Sequence, residues 1–392
     1  FNITAPNIAY DAQVKSTVTK IDMAPFSQAL VDNLQYWFKN NEKEISRIVA
    51  HTNKKLSQNS FLGAIKEDAK LETEFNKISQ IDGFTKLEKM LILALKPIIQ
   101  KTPTEKTALI LSTTKGNISE LNTSSDEISE KVYLQNLAKT IADFFDFKTQ
   151  PIVVSNACVS GILAIATAKR LIQAEIYDDA YVIAGDEFSE FVLSGFTSFQ
   201  ALSDTPCKPY DEARNGLNLG EATASIYITS DENLVKKNDI KIIGDGAIND
   251  ANHISGPSRT GEGLFRSIKS ALNEAKIESS QIEFISAHGT ATIYNDEMES
   301  IAFSRLELQN VPINSLKGYY GHTLGASGLL ETVIGIESLK RNRLYKSLGF
   351  ENAGTSERIN VITENKDIAL KIFLKTASGF GGCNTAVIFE KI

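Results

Sequence analysis

Three cysteines in 392 residues, at positions 158, 207 and 383, are too few, too far apart and odd in number for a disulfide framework or a zinc ligand set. A reducing, cytoplasmic setting with free thiols is expected. No apolar run approaches the roughly 20 residues of a membrane-spanning helix. The start of the chain, with Asp11, Lys15, Lys20 and Asp22, lacks the apolar block of a secretory signal, and its first residue is Phe1, so upstream residues are expected to have been removed or left out. Positive charge is also short. The net charge of −7 argues against a general nucleic-acid surface. It leaves room for an acidic protein partner, which needs only a local basic patch. With 42% hydrophobic residues the chain can bury a large core, and a soluble globular protein is expected.

The second half alternates short apolar strands with helical stretches: AYVIAGD, TASIYIT, IKIIGDG, IEFISAHG, VPINSLK, LKIFLKTASG and TAVIFEKI. Runs rich in Val and Ile on both faces predict central sheets covered by helices on each side. Upstream, Asn40 to Lys89 and Thr113 to Asp126 read as surface helices and a polar loop without a nameable motif.

Cysteine 158 stands where the strand PIVV hands over to the helical pattern ILAIATAKRLI. A helix N-terminus favours thiolate over thiol, so this position predicts a nucleophile with a lowered pKa. The competing reading is a small residue filling a core gap. His288 and His322, two of only four histidines, each follow a strand in a glycine-flanked exit, AHGT and GYYGHTLGASG. Either alone could be a structural hydrogen-bonder; with Cys158 they suggest a Cys-His-His site converging from separate strands. A last strand ends in Ser378-Gly379-Phe380-Gly381-Gly382, where glycine permits positive φ and close backbone approach to a ligand.

The stretches SNACVSG, AHGTATIYNDE, SLKGYYGHTLGASGLLE and SGFGGCNTAVIF, with KPYD, RNG and GEA between the nucleophile and first histidine, together resemble the β-ketoacyl-acyl carrier protein synthases of the thiolase fold. The resemblance runs from about Pro151 to Phe389. Ala222 stands where the family usually has glycine, and the opening Phe1 to Ala9 lacks the usual strand ending in Gly-Ile-Gly. The resemblance implies an α/β fold of two related halves, 1–235 with the nucleophile and 236–392 with the histidines, in an αβαβα layering, with a seam in the polar stretch Ser230 to Asp239.

It also implies decarboxylative Claisen condensation. An acyl group moves from a carrier thioester to Cys158, and the enolate from malonyl carrier attacks it. The amides of Cys158 and Phe380 are expected to bind the thioester oxygen, and neutral His288 and His322 the enolate oxygen. His322→Ala is accordingly expected to spare acyl transfer. Lys317 and Glu331 are expected to support the histidines as a buried pair. Asp296 reads as an N-cap for the helix MESIAFSRL, Phe380 as a gate or a packed aromatic, Cys383 as a small residue behind the loop, and Cys207 as incidental. Lys208, extended by Arg259, Arg266 and Lys269, is expected to face the acyl carrier protein, against the alternative of solvated surface charge. The scheme needs no metal and no dissociable cofactor, only carrier-bound phosphopantetheine. A homodimer or a heterodimer with another synthase subunit is expected. A thiolase is disfavoured because Gly381-Gly382-Cys383 reverses its order, and a coenzyme A-primed Cys-His-Asn synthase because of His322. A non-catalytic chain-length subunit typically lacks the nucleophile.

Overall fold

The computed structural model describes residues 83–122, 128–250, 252 and 256–392, together with the backbone of β1 (Ala9–Tyr10) and β2 (Val18–Lys20). Residues 1–58 form one compact unit, whose described part is the antiparallel β1–β2 ladder, and residues 59–392 form the other. The atypical opening of the chain and most of Asn40–Lys89 thus lie outside the described residues.

The first described helix of the larger unit is α1 (Lys86–Leu95). Its start is set by a capping box in which Thr85 Oγ1 accepts from the Glu88 amide and Glu88 accepts from the Thr85 amide. A four-stranded sheet follows in the order β4-β3-β5-β6, from β3 (Thr107–Ser112), β4 (Ile152–Val154), β5 (Asp179–Asp186) and β6 (Ala222–Thr229). The first three strands are parallel and β6 is antiparallel to β5. Between them run α2 (Leu134–Phe144), α3 (Ser160–Gln173) and α4 (Glu190–Ser198). Ser230–Asp239 is almost wholly exposed and leads into β7 (Ile240–Asn249).

The second sheet has the order β11-β9-β8-β13-β14-β7. It contains β7, β8 (Phe284–Ser286), β9 (Pro312–Asn314), β11 (Asn360–Val361), β13 (Ile372–Gly379) and β14 (Cys383–Lys391). The helices here are α5 (Glu262–Ala275), α6 (Ile293–Arg305), the single turn α7 (Lys317–Tyr320) and α8 (Ser327–Arg341). A small ladder pairs β10 (Arg343–Leu344) with β12 (Lys366–Asp367).

Side-chain alternation along the strands assigns the layers. Leu109, Leu111, Tyr181 and Ile183 pack outward with Leu87, Leu91 and Ile141 of α1 and α2. Their neighbours Ala108, Ile110, Val182 and Ala184 face inward, onto Ile162, Ala166 and Leu329 of α3 and α8. The same inner core receives Phe373, Ala377 and Phe389 from the second sheet, while Leu374, Ala386 and Ile388 face α5 and α6. This is the αβαβα sandwich of the thiolase fold. Each fully buried Leu, Ile or Phe contributes about 1.5–3 kcal/mol.

The central helices approach closely because they carry glycines. A Cβ on Gly161 would lie 2.6 Å from Leu329 N, and one on Gly328 would lie 2.7 Å from Ile162 N. That contact seats the start of α3 against the start of α8. The stretch after β3, expected to be a surface loop, is partly core: Thr113 and Asn117 are buried.

Candidate active site

Cys158 sits between β4 and α3, in a turn where Ala157 has φ 45°. Ser160 Oγ accepts from the Asn156 amide at 2.7 Å and donates to Ala157 O at 2.6 Å, which holds this left-handed turn. The helix itself begins at Ser160, one residue beyond its cap Val159, so Cys158 precedes it. Burial outweighs the helix end: the thiol is pushed up to about 12, first by desolvation and then by Cys383. The expectation of a lowered pKa is therefore corrected. A buried thiol without a full cation beside it keeps its proton.

His322 follows Gly321 and is held by backbone pairing with the segment before β6: its amide donates to Asn218 O at 2.7 Å and its carbonyl accepts from Gly220 N at 3.0 Å. Its Nε2 lies 3.0 Å from Cys158 Sγ and its Nδ1 3.3 Å from Ser327 Oγ. Ser327 Oγ in turn donates to Glu331 Oε1 at 3.1 Å. This chain assigns the proton to Nδ1 and leaves Nε2 to accept from the thiol. His288 leaves the end of β8, its ring centroid 5.3 Å from that of His322. Lys317 Nζ donates to His288 O at 2.6 Å and lies 3.4 Å from Nδ1, so the His288 proton belongs on Nε2. Burial, then Lys317, holds both imidazoles neutral: His288 well below its ordinary value and His322 down to about 3.

Beneath the histidines lies a buried ionic cluster larger than the expected Lys317–Glu331 pair. Glu331 accepts from Lys317 at 2.7 Å on one oxygen and from Lys375 at 2.6 Å on the other. Burial alone would raise the Glu331 pKa, yet the two ammonium groups hold it below the ordinary value. Lys375 also donates to the carbonyls of Ser286 and Thr376, at 3.2 and 2.8 Å, which fixes the end of β8.

A second pair of buried carboxylates shapes the His288 loop. Glu299 accepts from the amides of His288 and Gly289 at 2.9 and 2.7 Å and from Tyr210 Oη at 2.9 Å. Asp296 accepts from the amides of Thr290 and Tyr210 at 3.0 and 2.7 Å. The N-cap reading of Asp296 is thus corrected: α6 starts at Ile293 and Asp296 lies inside it. Its carboxylate is recruited by loop amides, and burial with Glu299 nearby raises its pKa to about 7. Cys207 is likewise not incidental, since its thiol donates to Lys317 O at 3.2 Å.

The hairpin turn between β13 and β14 completes the site. Gly381 and Gly382 have φ of 84° and 75°, and a Cβ on Gly379 would lie 3.0 Å from Cys158 N, so the end of β13 lies close against the Cys158 amide. Phe380 is 37% exposed, on the turn and outside the core, with its ring 5.8 Å from Phe196 and 5.2 Å from Phe199. Cys383 is buried behind the turn, as expected. Cys158, His288, His322, Phe196, Phe199 and Phe380 line a cleft of about 410 Å³ that also reaches Thr290, Thr292 and Tyr294. None of Lys208, Arg259, Arg266 and Lys269 lines it. Lys208 is half-buried, 4.0 Å from Glu351, and the other three are exposed.

Cys158 Sγ and a ring nitrogen from each of His288 and His322 lie within 4.8 Å of one another, the one donor group of this kind among the described residues. The ammonium of Lys317 beside His288 opposes a cation there.

The described fold is shared with known proteins. A model of the β-ketoacyl synthase N-terminal domain matches residues 100–233 and one of the C-terminal domain matches residues 241–351, together more than half of the chain. The chain belongs to the β-ketoacyl synthase family. It is 30% identical over 263 residues to 3-oxoacyl-acyl-carrier-protein synthase 2 of Coxiella burnetii, a match covering 63% of each chain. A β-ketoacyl synthase structure from Burkholderia phymatum is 26% identical with a TM-score of 0.73, over 79% of this chain and 83% of that one. A ketosynthase solved in complex with its chain length factor, from Xenorhabdus doucetiae, is 27% identical with a TM-score of 0.72, over 81% and 84%. Matches to the curated relatives span 60% to 67% of those relatives' length.

Proposed function

We propose that this chain joins an acyl group held on Cys158 to a malonyl unit, both delivered by acyl carrier protein, with loss of carbon dioxide and release of a 3-oxoacyl carrier. The observation that carries this reading is the buried pairing of Cys158 Sγ with neutral His322 Nε2 at 3.0 Å, with a second neutral histidine in the same cleft. As Sγ attacks the acyl thioester, the thiol proton passes to Nε2, and the departing carrier thiolate takes a proton back. In the second step His288 Nε2–H donates to the enolate oxygen as malonyl loses carbon dioxide. Rotation of the Ser327 hydroxyl toward His322 Nδ1 permits the tautomer that donates beside it. Oxyanion donors of this kind contribute about 3 kcal/mol each. The Cys158 and Phe380 amides are assigned to the thioester oxygen, and Phe380 to the gate.

This scheme changes one expectation. His322 touches the thiol, so His322→Ala slows acyl transfer as well as decarboxylation, whereas His288→Ala acts on decarboxylation. No dissociable cofactor enters the scheme. The division between halves is assigned to Val235, in the gap between the two family models. Lys208 is assigned to carrier docking. The likeness to a ketosynthase in complex with its chain length factor favours a paired, two-subunit assembly over a solitary chain. Incubation with acyl and malonyl carriers tests the reading: a 3-oxoacyl carrier should form, and none with Cys158→Ala. Product formed equally by Cys158→Ala would refute it.

A further inference from the structure

Asp186, the last residue of β5, is sealed from solvent, and the chemistry above does not use it. No ion pair among the described residues includes it; its charge is met by hydrogen-bond donors from two distant loops. Oδ1 accepts from Thr113 Oγ1 at 2.8 Å and from the amides of Thr114 and Lys115 at 3.1 and 3.3 Å. Oδ2 accepts from Thr114 N at 3.0 Å, Thr114 Oγ1 at 2.9 Å and Gly325 N at 2.7 Å. Gly325 is gripped a second time, its carbonyl accepting from Ser112 Oγ at 2.8 Å.

Gly325 lies in the turn between His322 and Ser327, the residue that meets His322 Nδ1. That turn is strained, with Leu324 at φ 53°, a conformation a branched side chain keeps only when its surroundings impose it. A Cβ on Gly325 would lie 2.7 Å from Asp186 Oδ2, so the contact requires glycine. We propose that Asp186 is a positioning residue for His322: its carboxylate clamps the Leu324–Gly325 turn and thereby sets the approach of Nε2 to Cys158 Sγ. This rests on the Cys158–His322 pairing proposed above.

The test is the rate of Cys158 alkylation by iodoacetamide in the full chain, with and without His322. Asp186→Asn keeps the shape but turns an NH₂ toward N–H donors. It should slow alkylation about tenfold, as misplacement of a reacting group does. On a His322→Ala background it should slow it no further, because residues acting as one unit are non-additive. Ser112→Ala, which removes the other grip on Gly325, should act the same way to a smaller extent and serves if Asp186→Asn fails to fold. Asp245→Asn, a buried carboxylate paired with Lys169 and Arg170 away from this turn, should leave the rate unchanged. The imidazole ¹⁵N shifts of His322 supply a second readout and should move in both turn variants. Unmoved shifts, or equal slowing with and without His322, would overturn the proposal. No effect of His322→Ala on alkylation would instead sink the Cys158–His322 pairing, with the shifts still deciding the role of Asp186.

Discussion

Cys158 is held as a thiol in the folded chain, because burial costs a thiolate more than the nearby helix end returns; in the proposed mechanism His322 takes its proton during attack. Alkylation of the free chain should therefore keep rising with pH beyond 9, as followed by mass spectrometry, and a plateau below pH 8 would contradict this. The two lysines beneath the site share one counter-charge, Glu331. Lys375→Met should remove about 3–5 kcal/mol of stability in urea unfolding, because it leaves Glu331 half-paired in a dry interior. That Cys158, His288 and His322 share one cleft was legible at this scale, because the three together at strand ends narrow the readings that each alone leaves open. Lys375 was not. In LKIFLKTASG a lysine between apolar residues reads as the solvent side of a strand, and only the fold reveals that its side of β13 faces the central layer. Asp296 misled for a related reason: Asp is a good N-cap, but this carboxylate is recruited by loop amides from two segments.

At the scale of elements, the crossing of α3 and α8 brings the Cys158 turn to the His322 turn. Gly328→Ala would push a methyl against the backbone of Ile162 and should cost about 1–3 kcal/mol, read from the urea midpoint. Gly195→Ala, in α4 with open space around it, should be neutral or add up to about 1 kcal/mol. Equal destabilisation by both would show that the crossing carries no special constraint. The strands of the second half were readable because apolar residues on both faces leave few alternatives, and β5, β7, β13 and β14 appear close to their expected positions. The central strand β3, TALILS, went unnamed although wholly buried, because it lies before the first motif and its neighbours in sequence are polar. The five-layer arrangement was legible through the family resemblance, whereas the glycine contact at its centre depends on a helix crossing that no local pattern encodes.

For the molecule as a whole, burying two neutral histidines ties stability to pH. Their folded pKa values lie below the unfolded 6.5, so stability present above pH 6.5 is lost on acidification. Loss continues until the folded site itself titrates, near pH 3 for His322. Asp296, raised to about 7, contributes with the opposite sign between its unfolded value of 3.8 and 7, so the histidine part is best isolated by difference. Urea midpoints should fall less between pH 7 and 5 in His322→Gln than in the parent chain; an unchanged slope would show that His322 is not held neutral. In the proposed reaction Cys158 carries the acyl group, and intact-protein mass spectrometry tests this most directly. The chain is mixed with acyl-carrier thioesters beside Cys158→Ala, then chased with malonyl carrier. One added acyl mass on the parent chain alone, discharged by the chase as a 3-oxoacyl carrier, is the predicted result. A folded chain that no donor acylates, or that keeps its acyl group through the chase, would contradict it.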